Sequence, residues 1–168
     1  MIALAPCKIN LGLQITAKRP DGYHELDTVF YPIALHDAIE ILPNAQSNES
    51  IVFTHSGLTI PGDTQNNLCI KAYHLLKKDF PSIPHIKMHL HKNIPMGAGL
   101  GGGSSDGSTV LKMLNTLFHL SLSNESLCDY ALQLGSDCPF FIEQQACHAT
   151  GRGEIFTPLQ LDLTAYQI

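Results

Sequence analysis

Residues 95–106 read Pro95-Met96-Gly97-Ala98-Gly99-Leu100-Gly101-Gly102-Gly103-Ser104-Ser105-Asp106. Such a run suits phosphate. Glycine has no Cβ, so its backbone enters positive φ and lets a ligand approach closely. Successive N–H groups then point into one concavity. A helix starting at the end of the run adds unpaired amides and the positive end of its dipole. Ser104 and Ser105 bring hydroxyls suited to a phosphate oxygen or to Mg²⁺. Two familiar glycine loops do not fit. A P-loop closes on Gly-Lys-Ser/Thr, and Gly103-Ser104-Ser105 lacks the lysine. Gly97, Gly99 and Gly102 satisfy G-x-G-x-x-G, but a dinucleotide site requires a helix and then a strand ending in an acid. Here a second helical pattern follows, with Glu125 in its first turn. A flexible linker is the plain alternative. The position between a patterned strand and a patterned helix argues against it.

Other residues could act beside a phosphate. Asp137 lies in a loop between Gly135 and Pro139. As a residue type it suits a general base taking a hydroxyl proton and, equally, a turn aspartate bonding its own backbone. Lys8 interrupts an apolar N-terminal strand, where an unpaired ammonium is costly to bury. It reads either as a solvent-facing lysine or as a cation that keeps a carboxylate ionised and stabilises developing charge. Asn10 falls two residues later and shares its face, within reach of a substrate hydroxyl or phosphate. Tyr23 and His24 follow a Pro20-Asp21-Gly22 turn, where residue type alone suggests packing. His89 and His91 share one strand face, with no third ligand nearby for a zinc-type site.

The elements that must position these groups are patterned clearly. Ile9, Leu11, Leu13 and Ile15 alternate with polar or small residues, as in a half-buried strand. Thr28–Leu35, Ala38–Leu42 and Ser50–Thr54 are β-rich, and residues 56–65 read as a loop. Asn66 or Asn67 caps a helix to about Asp79, with Leu68, Ala72, Leu75 and Leu76 on its apolar face. Ile86, Met88 and Leu90 predict a strand entering the glycine run. A helix from about Ser105 to Phe118 buries Val110, Met113, Leu114, Leu117 and Phe118. Another runs from Ser123 to Gly135. Phe140–Ile142 and Ala146–Thr150 read as short strands. Strands early and helices interspersed later predict an α+β fold.

A chain of 168 residues suits one domain, or one large domain and the start of another. The net charge of −5 comes without a basic block, which argues against a general nucleic-acid binder and leaves room for a small anionic substrate. The five cysteines form no C-x-x-C pair and read as buried thiols in a reducing cytosol. The N-terminus lacks the basic region of a signal peptide, and no apolar run approaches the roughly 20 residues of a membrane span. The expectation is a soluble, cytoplasmic protein without nucleic-acid or membrane partners.

The glycine run resembles the second motif of the GHMP kinases, Pro-x-x-x-Gly-Leu-Gly-(Gly)-Ser-Ser. Ala5-Pro6-Cys7-Lys8-Ile9-Asn10-Leu11 is similar to their first motif. Arg19-Pro20-Asp21-Gly22-Tyr23-His24, Gly135-Ser136-Asp137-Cys138-Pro139-Phe140-Phe141 and Gly151-Arg152-Gly153-Glu154 resemble segments of the branch acting on a diphosphocytidyl-methylerythritol. The matches run in family order from residue 5 to residue 154.

The resemblance implies a GHMP-kinase N-terminal domain over residues 1–158. Its mixed sheet of four or five strands packs on helices with a left-handed βαβ unit, as in ribosomal-protein domain 2-like folds, against the usual handedness. Residues 159–168 would begin a C-terminal domain, with a third glycine motif, whose remainder this chain does not carry. The implied activity is ATP-dependent phosphorylation of the 2-hydroxyl of 4-diphosphocytidyl-2-C-methyl-D-erythritol in isoprenoid-precursor synthesis by the methylerythritol phosphate route. Asp137 would be the base and Lys8 its partner. Asn10, Tyr23 and His24 would hold the cytidine-diphosphate-linked substrate. Asn67, Lys92 and the run Pro95, Met96, Gly97, Ala98, Gly99, Leu100, Gly101, Gly102, Gly103, Ser104, Ser105 would hold ATP. Mg²⁺ would bridge the phosphates, its protein ligands not evident. Gly107-Ser108 departs from the small apolar pair usual after the loop. The alternatives are a catalytically incomplete nucleotide-binding fragment, or a GHMP kinase for homoserine, mevalonate or a sugar. Pro20–His24 argues against the latter.

Overall fold

The long alternating segments pair first. In the computed structural model, which describes residues 1–166, β1 (Ile2–Lys18) and β2 (His24–Pro43) form an antiparallel hairpin closed by Gly22 at φ 86°. The two β-rich segments expected at 28–35 and 38–42 are one strand. Register slips between Pro6 and Cys7, where the partner jumps from His36 to Ile33, so Ala34 and Leu35 bulge without ending the strand. The other edge of β2 is shared. Its second half pairs with β4 (Ile86–Lys92) and its first half with β5 (Cys147–Gly151). β3 (Ile51–Gly57) lies parallel to β4, and β6 (Ile155–Pro158) lies antiparallel to β5. The mixed sheet therefore has six strands rather than four or five, in the order β3-β4-β2-β5-β6 with β1 also on β2. Neither β6 nor the last three residues of β3 were marked by the sequence pattern.

The parallel pair is joined through a 3₁₀ turn (Thr64–Asn66) and α1 (Leu68–Asp79). Asn67 caps α1, its Oδ1 accepting from the Cys69 N–H at 2.9 Å. α2 (Gly102–Leu117) follows the glycine run, and α3 (Asn124–Leu134) is capped by Ser123. α2 begins three residues before the expected Ser105. Glycine is a poor helix former, but Gly101 at φ 69° turns the chain so that its carbonyl accepts from the Ser105 N–H at 2.9 Å. Phe140–Ile142, expected as a strand, falls in the short helix α4 (Phe140–Glu143). A three-residue apolar run carries no period, and here all three side chains are buried at once.

One core sits between the sheet and the helices. Ile39, Ile41, Ile86, Met88 and Leu90 from the sheet meet Tyr73 and Leu76 of α1, Leu111 and Leu114 of α2, and Leu127 of α3. A smaller cluster of Phe30, Phe140, Phe141, Cys147 and Ala149 lies under β5. All five cysteines are free thiols. No helix is long and apolar enough to cross a membrane among the described residues.

Candidate active site

Three loop glycines, Gly97, Gly99 and Gly101, have φ between 69° and 75°. The glycines serve two different ends. A Cβ on Gly101 would sit 2.8 Å from Cζ of Phe141, and one on Gly102 would sit 2.9 Å from Ile94 and 3.0 Å from Nζ of Lys92. Those two are glycines because protein packs behind them. Gly97, Gly99 and Gly103 face open space. Leu68 and residues 95–104 line a bowl of about 240 Å³ there. It shares Leu68, Met96 and Gly103 with an adjoining cavity of about 280 Å³ walled by Phe53, Ile60, Leu90 and Asn67. Ser104 lines the bowl, whereas Ser105 is fully buried and its Oγ has no partner.

Lys8 reaches the side of this loop. Its N–H donates to the Leu100 carbonyl at 3.0 Å, and its Cγ is 3.3 Å from the position of a Gly101 Cβ. Its ammonium donates to Oδ1 of Asn10 at 2.6 Å, lies 3.7 Å from Oδ2 of Asp137, and sits 4.4 Å from the Phe30 ring centre. Asn10 passes the chain on, donating to Thr28 Oγ1 at 2.9 Å, and Thr28 donates to the Gly12 carbonyl. The Lys8 side chain is 6% exposed and that of Asp137 33%. Burial lowers the Lys8 pKa below the usual lysine value, and Asp137 offsets part of that shift. The result is a buried ammonium held beside a carboxylate that solvent can reach.

The other expected ligands are placed differently. Tyr23 is 57% exposed at the hairpin tip, with the Arg152 guanidinium 4.9 Å from its ring centre, and His24 is exposed beside it. Gly153, next to Arg152, brings the β5–β6 turn to 3.5 Å from Oδ1 of Asp137, measured from a Cβ position. Tyr23 and Asp137 thus flank one turn. Asn67 lines the cavity next to the bowl while capping α1. Lys92 also lines it, but its ammonium is 1% exposed and bound by Asp37 and, at 2.8 Å, by Asp106. His89 and His91 are tied to Thr54 and Ser56, and among the described residues no cluster of three or more His, Cys, Asp or Glu side chains could hold a metal. Asp37, Asp106, Thr28, Phe30 and Phe141 were not singled out from the sequence. Asp106 stood in the quoted run, but its partners lie 14 and 69 residues away, and no spacing rule reaches that far.

A glycine-lined bowl at the N-terminus of α2 is thus flanked by a lysine–aspartate pair on a mixed sheet. A model of the GHMP kinases N terminal domain matches residues 67–145, and the chain carries such a domain. Over all 168 residues it is 51% identical to the 4-diphosphocytidyl-2-C-methyl-D-erythritol kinase of Bacteroides fragilis and 52% identical to that of Bacteroides thetaiotaomicron, spanning 61% of either. A crystal structure of 4-(cytidine 5'-diphospho)-2C-methyl-D-erythritol kinase superposes with a TM-score of 0.82 at 37% identity, over 96% of this chain and 56% of that one. Methanococcus jannaschii mevalonate kinase shares the fold, with a TM-score of 0.70 at 17% identity over 95% of this chain and 56% of that one.

Proposed function

We propose that the protein transfers the γ-phosphoryl group of ATP to the 2-hydroxyl of 4-diphosphocytidyl-2-C-methyl-D-erythritol. The observation that carries the reading is the Lys8–Asp137 pair, 3.7 Å apart and packed against Gly101 of the bowl. ATP fits the lining present: the bowl over residues 95–104 for its phosphates and the cavity beside Asn67, walled by Phe53, Ile60 and Leu90, for its base. Of the two serines, Ser104 lines the bowl while Ser105 is buried, so Ser104 would be the one to meet Mg²⁺, which would neutralise phosphate charge when bound.

Asp137 accepts the substrate hydroxyl proton as the oxygen attacks. A base so placed is worth about 100- to 10,000-fold. Lys8, 3.7 Å from Asp137, stabilises the charge that develops on the oxygen. Asn10 fixes the Lys8 ammonium. Tyr23 and His24 hold the cytidine end, with Arg152 stacked behind Tyr23. Lys92 serves the nucleotide from below, through the loop rather than by touching it. Residues 1–158 form the nucleotide-binding domain in this reading, 159–168 lead into a further domain, and the protein works in the cytoplasm of the isoprenoid-precursor route.

Asp137→Asn tests the assignment: turnover falls by about 100-fold or more while nucleotide affinity stays within about twofold. Near wild-type turnover sinks it. A panel with mevalonate, homoserine and the cytidyl compound tests the substrate, and phosphorylation of either of the first two without the third overturns the choice. The 168-residue chain spans 61% of the length of these relatives.

A further inference from the structure

Gly151-Arg152-Gly153-Glu154 makes the turn between β5 and β6 and takes no part in the proton transfer above. The turn holds its own backbone. Gly151 and Gly153 have φ of 72° and 100°, and the Gly153 N–H donates to the Thr150 carbonyl at 3.1 Å. The Glu154 carboxylate folds back and accepts from the Arg152 backbone N–H at 2.5 Å. A Cβ on Gly151 would meet that carboxylate at 3.1 Å. Arg152 therefore leaves a fixed backbone. Its guanidinium carbon lies 4.9 Å from the Tyr23 ring centre. Its Nε lies 3.6 Å from Oε1 of Glu154, beyond hydrogen-bond reach. Its two terminal nitrogens have no ion pair or hydrogen bond among the described residues. The other guanidinium at the hairpin tip is engaged: Arg19 donates to Asp21 at 3.2 Å and to Glu25 at 2.6 Å.

We propose that Arg152 is a substrate-binding residue whose free terminal N–H groups take the diphosphate of the cytidine-linked substrate. This rests on the reading above, with the cytidine end at Tyr23 and the reacting hydroxyl at Asp137. The turn lies between those two groups. Arg152 touches Tyr23, and the next residue, Gly153, has its Cβ position 3.5 Å from Oδ1 of Asp137. The substrate joins its two ends through a diphosphate, so the diphosphate passes along this turn. A guanidinium suits it there, because it is planar, always charged and presents paired donors that match phosphate oxygens. The Arg152 side chain is 35% exposed, so an anion reaches it without opening the fold. The nearby carboxylates do not occupy those donors. Asp21 accepts from the Tyr23 N–H and from Arg19, and Glu154 accepts from the Arg152 backbone. A plainer role is a prop that only stacks on Tyr23. A prop serves cytidine and its diphosphate alike, whereas a diphosphate ligand separates them.

The test is the dissociation constant of CDP and of cytidine for the wild-type chain, Arg152→Met and Arg152→Lys, with ADP saturating the bowl. The wild type should bind CDP about 10-fold or more tightly than cytidine. Arg152→Met should bring CDP to within about twofold of cytidine and change cytidine itself by less than about threefold. Arg152→Lys keeps the charge and loses the fork, so its CDP affinity should fall between the two. Raising NaCl from about 0.05 to about 0.5 M should weaken CDP on the wild type more than on Arg152→Met. Equal weakening of cytidine and CDP in Arg152→Met, or a CDP preference that survives in it, overturns the inference and leaves the cytidine reading standing. No binding of either compound by the wild type overturns both.

Discussion

Lys8 is the junction of the site. Its ammonium meets Asn10, Asp137 and the Phe30 ring, and its backbone N–H holds Leu100 of the glycine run. Burial disfavours its charge and Asp137 sustains it, so the pair is a unit rather than two independent groups. Replacing Lys8 by methionine keeps the stem's packing and removes the charge. We expect kcat to fall by about 100- to 1,000-fold, the scale of losing one preorganised electrostatic donor. Thermal stability should change little, because the remaining Asp137 side chain is 33% exposed and stays hydrated, while the desolvation cost of the buried ammonium is removed. Calorimetry alongside steady-state rates separates the two effects, and unfolding of the variant at the assay temperature would refute this division.

The glycine run and α2 act as one element, and its glycines are not equivalent. Gly101→Ala places a Cβ 2.8 Å from Phe141 at φ 69°. That combines a disfavoured backbone with overpacking, so the variant should lose about 2–4 kcal/mol in denaturant titration. Gly103 lies inside α2 with nothing within 4 Å of a Cβ. Gly103→Ala should therefore gain about 0.5–1 kcal/mol of stability, as alanine replaces glycine in a helix. Because Gly103 lines both the bowl and the adjoining cavity, the same variant should bind ADP more weakly. A stable variant with wild-type affinity would place the phosphates elsewhere.

For the folded chain as a unit, the buried Asp106 makes stability depend on pH. Its carboxyl rises from 3.8 to about 7 on folding. Between those values the folded state holds a proton that the unfolded state has lost. The contribution is therefore complete below about pH 4 and is lost as pH rises through about 7. Melting temperatures of the wild type and Asp106→Asn, compared from pH 5 to pH 8, should diverge with rising pH in favour of the variant. Parallel curves would mean that Asp106 is ionised throughout.

Local chemistry was readable in the chain itself. A glycine run between a strand pattern and a helix pattern marks a bowl suited to phosphate because backbone freedom, amide direction and helix dipole are all short-range properties. The Asn66-Asn67 pair and Ser123 announced helix starts, and the period of Ile86, Met88 and Leu90 announced the strand that feeds the loop. The three-residue run Phe140–Ile142 has too few residues to express a period, and all three side chains are buried in the short helix it forms. Pairing across the chain was likewise hidden. Lys8 meets Asp137, and Asp37 and Asp106 meet at Lys92, only because β2 bulges at Ala34–Leu35 and α2 packs back over the sheet. Which carboxylate stays charged depends on burial and on donors brought from distant elements, and those exist only once the chain has closed on itself.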